Sequence, residues 1–347
     1  MPAFDAYRRT RYWPALDGLR ALAIVPVVWH HVGGDRGGLW SRGPLGVELF
    51  FAISGYLITS LLLRERAATG TISLAGFYLR RSLRIFPLYY AVLGLYALLV
   101  LVLEPHTAAG AGFWRNLPGF LTYTSNWIVS ETDSGRVIFY FAWSLACEEQ
   151  FYALWPAAVR WLRGWLPAAL MVGVLAALQV APEAVRLAGP ICLGSLAALA
   201  VHHRRGFALA WLLVGARWGA PAAAAAVVAC VLLDAPLLVT GAAMTLLVVA
   251  VTIRPDHGLA RPLEWRPARW VGEVSYGVYL LHMLVVNAAR RVLPEHDGLV
   301  FLVSLVCVLA VAGLSRRFFE APILRLKDRL GRAATAPSLP AAGSPAP

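Results

Sequence analysis

Apolar segments of membrane-spanning length, separated by short polar stretches, recur along the whole chain. Since an α-helix rises about 1.5 Å per residue, roughly 20 apolar residues cross the hydrocarbon core of a bilayer. The pattern therefore predicts an all-α fold with about ten membrane-spanning helices. A turn is expected between the fifth and sixth spans, because Pro182, Glu183 and Arg186 interrupt the apolar run. The predicted spans lie near residues 16–33, 45–63, 85–104, 138–159, 165–180, 185–201, 212–233, 236–253, 272–291 and 298–316.

Arginine clusters occur in every second connection between the predicted spans. They precede the first span and follow the second, fourth, sixth, eighth and tenth. Because basic loops stay on the cytoplasmic side of a membrane, the alternation predicts that these loops and both termini are cytoplasmic. The first apolar run is expected to remain as a span, since no secretory signal pattern precedes it. We therefore expect an integral membrane protein with both termini in the cytoplasm.

The sequence divides into three parts on this reading. Residues 1–15 form a cytoplasmic segment, and residues 16–323 form the transmembrane domain. Residues 324–347 form a cytoplasmic tail, which we expect to be largely disordered because it becomes rich in Ala, Pro, Gly and Ser without an apolar period.

Composition supports a lipid environment. Of the residues, 59% are hydrophobic and 14% are charged, whereas about 25% are charged in a typical soluble domain. The net charge of +12 lies in short runs between apolar segments, which favours contact with anionic lipid over binding of nucleic acid. The cysteines lack metal-type spacing, so we expect small core side chains and no metal site. They are Cys147, Cys192, Cys230 and Cys307.

The first span carries two ionisable residues on one helical face. Arg20 and His31 are eleven residues apart, which is about three helical turns and about 16 Å along the axis. A cation near the cytoplasmic end suits an anionic ligand, and a deeper histidine suits proton abstraction. His30 lies about 100° around the helix and is expected to face elsewhere. Charged groups inside spans are costly and normally functional.

The fourth span repeats polar residues at every fourth position. Ser144, Glu148 and Tyr152 therefore line one face of the helix. Glu148 could orient His31 and stabilise its protonated form, as the third group of a catalytic triad does. The alternative is a buried carboxylate paired with an arginine.

The second span begins with a carboxylate. Glu48 lies there at about the depth expected for His31. The following Ser54-Gly55 pair favours close helix packing. Ser54 is not interpreted as a nucleophile, because no G-x-S-x-G motif surrounds it.

Two further segments carry candidate site residues. Arg81 and Arg84 share a helical face near aromatic residues, which suits phosphates and an adenine ring or, alternatively, anionic lipid. In the ninth span Tyr279 and His282 are helical neighbours. His282 lies deeper than a residue of an interfacial aromatic belt.

Taken together, six segments of this sequence resemble the acyltransferase 3 family of bacterial integral-membrane O-acyltransferases. They run in order from residue 16 to residue 323. They read LDGLRALAIVPVVWHH, GVELFFAISGYLIT, FYLRRSLRIFPLYY, WSLACEEQFYALWP, SYGVYLLHMLV and FFEAPI. The family's arginine–ten residues–histidine pattern falls on Arg20 and His31, its arginine pair on Arg81 and Arg84, and its glutamate on Glu148.

The resemblance implies transfer of an acyl group, usually acetyl, from cytoplasmic acyl-CoA without a metal. The acceptor would be a hydroxyl of a carbohydrate, a lipid-linked glycan or another small molecule. It implies His31 as general base supported by Glu148, and coenzyme A phosphates bound by arginines. The arginines are Arg20, Arg81 and Arg84, and the other expected pocket residues are Glu48, Ser144, Tyr152, Tyr279 and His282.

Three other functions are alternatives to an acyltransferase of this family. A transporter or flippase could use the same intramembrane charges, but the sequence has no internal repeat of the kind common in transporters. His30 and Asp35 match a loose histidine–aspartate acyltransferase pattern, which leaves the other segments unexplained. A non-enzymatic sensor would not need so many deep polar groups.

Overall fold

The structure of the chain is a computed structural model that describes residues 2–10, 12–33, 42–129, 137–181, 183–294 and 296–325. These ranges contain helices and no β-strand, so the predicted all-α class is confirmed for them. A π-helical turn, Arg316–Glu320, follows the last α-helix. The α-helices are α1 (Pro2–Arg9), α2 (Pro14–Gly33), α3 (Pro44–Thr69), α4 (Leu74–Leu103), α5 (Ala108–Leu121), α6 (Ser125–Ile128), α7 (Trp143–Trp161), α8 (Leu166–Leu178), α9 (Glu183–Arg186), α10 (Gly189–His202), α11 (Arg204–Val214), α12 (Gly219–Leu232), α13 (Leu237–Ile253), α14 (Ala260–Leu263), α15 (Arg266–Val292) and α16 (Asp297–Ser315).

Each of the ten predicted spans overlaps one of these helices. Within the described residues, four helices are long and apolar enough to cross a bilayer by themselves: α3, α4, α15 and α16 with its extension. A fifth span can be counted if α11 and α12, which meet at an angle of 73°, form one broken span. The apolar helices α8, α10 and α13 are shorter. The chain is a helical membrane protein, and the count of ten spans remains a prediction.

Helix α4 begins eleven residues before the third predicted span. Ser73 caps its amino terminus, because the Ser73 hydroxyl accepts a hydrogen bond from the Gly76 amide at 3.2 Å. Arg81 and Arg84 therefore lie on a continuous helix and point to one side of it. A break between α8 and α10 agrees with the predicted turn.

Helices α3 and α10 approach each other closely through glycine. A Cβ atom on Gly55 would lie 2.1 Å from the carbonyl oxygen of Ile191, and one on Gly194 would lie 2.3 Å from that of Ala52. No larger residue fits at either position unless the helices separate. Backbone contact of this kind is how helices associate where no hydrophobic effect acts between them. It agrees with the close approach expected at Ser54-Gly55.

Helix α2 lies against α15 in a similar way. A Cβ atom on Gly272 would lie 1.9 Å from the carbonyl oxygen of Asp17. This contact fixes the start of α2, with Arg20, beside α15, which carries Tyr279 and His282 further along. The packing of these two helices is what brings separate sequence motifs together.

Two further sets of predictions concern residues outside the described ranges and the four cysteines. Asp35 and most of the tail, residues 326–347, lie outside the described residues. Among the cysteines, Cys147 and Cys192 are buried, whereas Cys307 is exposed on α16.

Candidate active site

A narrow cavity of about 90 Å³ lies between α2, α3, α4, α7 and α15. We name it the arginine pocket because three arginines from two helices line it. Six residues predicted from separate segments of the sequence meet here: Arg20, Arg81, Arg84, Ser144, Glu148 and Tyr279.

Arg81 is held on one wall of the arginine pocket by an aromatic ring. Its guanidinium carbon lies 3.7 Å from the ring centre of Tyr152. A desolvated cation–π contact of this kind is worth about 2 kcal/mol. The Nε atom of Arg81 is buried and has no hydrogen-bond partner within the described residues. Tyr152 therefore supports a pocket residue from behind and does not line the cavity itself.

Arg84 lies in an environment with an excess of positive charge. Its charged neighbours are Arg20, Arg81 and Arg316, with Glu320 as the carboxylate that opposes them. Arg84 makes no hydrogen bond or ion pair within the part of the chain that the structure describes. The cations repel one another at short range, so a bound anion would relieve this repulsion.

Arg20 has a fixed orientation at the end of α2. Its Nη1 atom donates to the Asp17 carboxylate at 2.8 Å. The same carboxylate accepts a hydrogen bond from the Tyr12 hydroxyl at 2.5 Å. Because a guanidinium has five N–H donors, this ion pair leaves most of them available to a ligand.

Glu148 lines the arginine pocket from α7 and interacts electrostatically with Arg81. The Ser54 hydroxyl donates to its Oε1 atom at 2.5 Å, which is a charge-assisted hydrogen bond. His31 does not line this pocket. The direct contact between Glu148 and His31 that the sequence suggested is therefore not present, because Glu148 bonds to Ser54 in a different cavity.

His31 lines a second and wider cavity of about 920 Å³. We name it the histidine cavity. His30 lines it as well, with its ring centre 5.2 Å from that of His31. The expectation that His30 faces elsewhere is therefore wrong. The cavity is wide enough that two adjacent residues of α2, about 100° apart around the helix, both line it. Further polar lining comes from Tyr96, Glu104, Tyr140, Asn287 and Arg291.

Three side chains separate the arginine pocket from the histidine cavity. We name Phe141, Tyr279 and His282 the partition. The Tyr279 hydroxyl lies 2.7 Å from the Phe141 carbonyl oxygen and 2.5 Å from the Ser144 hydroxyl, which also reaches that carbonyl at 3.3 Å. The His282 ring is fully buried, with its centre 5.2 Å from that of Phe141 and 4.7 Å from that of His31.

The comparisons with known proteins identify the family of the chain. The family described as acyltransferase domain matches residues 13–317. The chain belongs to this family. The predicted resemblance is thus confirmed, and an enzyme that transfers acyl groups other than aminoacyl groups is favoured over a transporter.

Relatives of this acyltransferase carry names from the same chemistry. The peptidoglycan O-acetyltransferase OatA of Listeria monocytogenes is 28% identical, over 90% of this chain and 56% of its own length. A putative peptidoglycan O-acetyltransferase of Bacillus subtilis is 30% identical, over 90% and 55%. A putative O-acetyltransferase of Staphylococcus aureus is 37% identical, over 44% and 26%. The chain spans little more than half the length of the first two relatives. No solved structure matches the chain.

One predicted residue of the acyltransferase lies apart from both cavities. Glu48 borders a separate small cavity together with Gln179 and Arg186. Both of its carboxylate oxygens are buried without a hydrogen-bond partner within the described residues. The structure therefore does not bring Glu48 together with His31, although their depths were expected to match.

The sequence analysis missed several residues of the site. Asp17 and Glu320 lie within the segments LDGLR and FFEAPI, whose resemblance to the family could have pointed to them. Arg316 comes close to Arg84 only because the π-helical turn Arg316–Glu320 packs against α4, which no local spacing indicates. The residues that were missed are Asp17, Ser54, Phe141, Arg316 and Glu320.

Proposed function

We propose that this chain transfers an acetyl group from acetyl-CoA to a hydroxyl group of a glycan. One observation carries the proposal: α2 joins an arginine-lined pocket at one end to a histidine-lined cavity at the other. The two ends are about 16 Å apart along the helix axis. This distance suits a donor whose phosphates stay at the arginines while its thioester reaches towards His31.

The arginine pocket is the proposed donor site. Guanidinium groups bind phosphates through paired charge-assisted hydrogen bonds. The uncompensated position of Arg84 supports a strongly anionic ligand such as coenzyme A. The small volume of the pocket suits the slender end of the donor and a short acyl group. The proposed chemistry uses the donor as a substrate and needs no metal ion.

The histidine cavity is the proposed acceptor site. Its volume lies at the upper end of the usual range for ligand pockets, which is about 300–1,000 Å³, and would admit one or two sugar units. Two relatives are named for peptidoglycan, which supports a carbohydrate or a lipid-linked glycan as acceptor. We further propose that the arginine pocket faces the cytoplasm of a bacterial inner membrane, with both termini on that side.

His31 is the proposed general base. Its basic ring nitrogen takes the proton of the acceptor hydroxyl as that oxygen attacks the thioester carbonyl. The new C–O bond forms, the C–S bond breaks, and the proton passes from His31 to the departing thiolate. For this step the acyl group must pass the partition, since His31 lies on its far side.

The proposal is tested with the protein reconstituted in lipid nanodiscs, radiolabelled acetyl-CoA and soluble peptidoglycan fragments. We expect labelled ester to form and to be lost on alkaline treatment. His31→Ala should lower the rate at least about 10²-fold, the low end for a general base, with acetyl-CoA binding retained. His30→Ala should have a much smaller effect. Equal losses in both variants, or no ester from the wild-type protein, would contradict the proposal.

A further inference from the structure

His282 is the most deeply buried titratable group of the partition. It is 0% exposed, and its Nε2 atom has no hydrogen-bond partner within the described residues. Buried polar atoms are almost always paired, so an unpaired one requires an explanation. The His282 ring lies edge to face against His31, with the ring planes at 72°.

Backbone carbonyls fix the proton positions on both rings. The Nδ1 atom of His282 lies 2.6 Å from the Tyr279 carbonyl oxygen, and that of His31 lies 2.9 Å from the Val27 carbonyl oxygen. A carbonyl oxygen can only accept, so Nδ1 carries the hydrogen in each ring. In the neutral rings both Nε2 atoms are therefore acceptors. Two acceptors cannot bond to each other, which explains why Nε2 of His282 is unpaired.

We propose that His282 is the positioning partner of His31, and that its Nε2 atom stabilises the proton that His31 takes from the acceptor. This inference rests on the proposed function. Once His31 is protonated at Nε2 it becomes a donor, and the ring in contact with it, His282, carries a buried acceptor without a partner within the described residues. The unpaired atom of the resting protein thus gains its partner only during the reaction.

A neutral imidazole suits this position better than a carboxylate. The partition around His282 consists of the Phe141 and Tyr279 rings. A permanent charge there would be desolvated throughout the resting state. Glu148, the carboxylate expected to support His31, is already bonded to Ser54 in the arginine pocket. His282 is neutral before transfer and meets a charge only while His31 holds the extra proton.

The proton balance closes without a further reactant. The acceptor hydroxyl gives its proton to His31 as the C–O bond forms. The imidazolium of His31 shares this proton with Nε2 of His282 while the C–S bond breaks. The coenzyme A thiolate then takes the proton, and both rings return to their neutral forms.

Two substitutions separate this role from a purely structural one. His282→Asn keeps an amide N–H that can reach the Tyr279 carbonyl but removes the basic nitrogen. His282→Ala removes both. His203→Asn is the matched control, because His203 is an exposed histidine on another surface. The readouts are kcat, the binding affinity for acetyl-CoA and the thermal midpoint in nanodiscs.

We expect His282→Asn to lower kcat about 10²-fold, in the range of assisted proton transfer, while acetyl-CoA affinity and the thermal midpoint stay at wild-type values. His203→Asn should match the wild type. A kcat within about threefold of wild type in His282→Asn would overturn the inference. So would a loss of kcat that comes with an equal loss of donor affinity or of thermal stability.

Combination with His31→Ala shows whether His282 acts through His31. If it does, adding His282→Asn to His31→Ala should change the rate little, because the function it serves is already gone. Losses that multiply in the double variant would overturn the inference. A wild-type protein that forms no ester would instead refute the proposed function, and near-normal turnover in His31→Ala would refute its mechanism.

Discussion

At the scale of single residues, the arginine pocket gathers three arginines, and Arg84 among them has more cationic than anionic neighbours. Arg20 has Asp17 as its partner, and Arg81 rests on Tyr152. Arg84 has three cationic neighbours and Glu320 as the opposing charge. An anionic ligand should therefore stabilise Arg84 more than it would stabilise an ordinary surface arginine.

Arg84→Ala should therefore weaken acetyl-CoA binding by about 1.5–3 kcal/mol, the usual value of a hydrogen bond to a charged group. This corresponds to at least about tenfold in the dissociation constant, measurable by isothermal titration calorimetry. Arg80→Ala is the control on the same helix, because Arg80 is exposed and pairs with Glu65 at 3.5 Å. Equal affinities of the two variants would remove Arg84 from the donor site.

Ser144 and Tyr279 are in contact at 2.5 Å, and both line the arginine pocket. Because the acyl group must pass the partition at Tyr279, a narrow passage there should restrict the donor to short acyl groups, since an extra methylene in a fitted pocket discriminates by about 10–200-fold. Tyr279→Ala should therefore raise the ratio of kcat/KM for butyryl-CoA to that for acetyl-CoA by about tenfold. Tyr78→Ala, a change at a part-buried tyrosine of α4 that lines neither cavity, serves as the control. An unchanged ratio would show that Tyr279 does not limit acyl length.

At the scale of helices, the site depends on two crossings with glycine at the contact. The α3–α10 crossing holds α3, which carries Ser54, and the α2–α15 crossing brings His31 beside the partition. The shape of both cavities depends on these crossings, because the residues that line the arginine pocket come from five different helices.

Gly55→Ala should destabilise the protein by about 1–3 kcal/mol, the usual cost of an overpacked interior. The added Cβ atom would meet the Ile191 carbonyl, so the helices must separate. Gly94→Ala is the matched control on α4, where the added Cβ atom meets nothing within 4 Å. Thermal midpoints in the same detergent test this pair, and equal midpoints would contradict the tight crossing.

At the scale of the whole molecule, the proposed reaction requires the two cavities to face opposite sides of the membrane. The basic loops define the cytoplasmic side in this proposal. The donor would then enter from the cytoplasm, and the acceptor would approach from the other side. In this proposal the partition is the barrier between the cytoplasmic and the external side, which the acyl group alone passes.

This orientation is tested by reporter fusions in the loops. A reporter at Gly70 or at Arg205 should give a cytoplasmic signal, because both residues lie in basic connections. A reporter at His106, between α4 and α5, should give an external signal. A cytoplasmic signal at His106, or an external one at Gly70, would reject the assigned topology.

The sequence by itself determined the helical class, the family and the three arginines that line the arginine pocket. Apolar runs indicate helices directly, since each membrane span must form its own backbone hydrogen bonds in lipid. The spacing within one helix is also local, so the common face of Arg20 and His31 could be read from their numbers. The pair Arg81 and Arg84 was found in the same way.

Only the tertiary structure decided how these faces are divided between cavities. The family motif led to the prediction that Glu148 supports His31, but Glu148 lines the arginine pocket and accepts a hydrogen bond from Ser54. His282 lies beside His31 instead, because the crossing of α2 and α15 brings the two rings into contact. Glu48 was matched by depth alone and lies elsewhere. Helical periodicity fixes which residues share a face, whereas the packing of one helix on another fixes which faces meet.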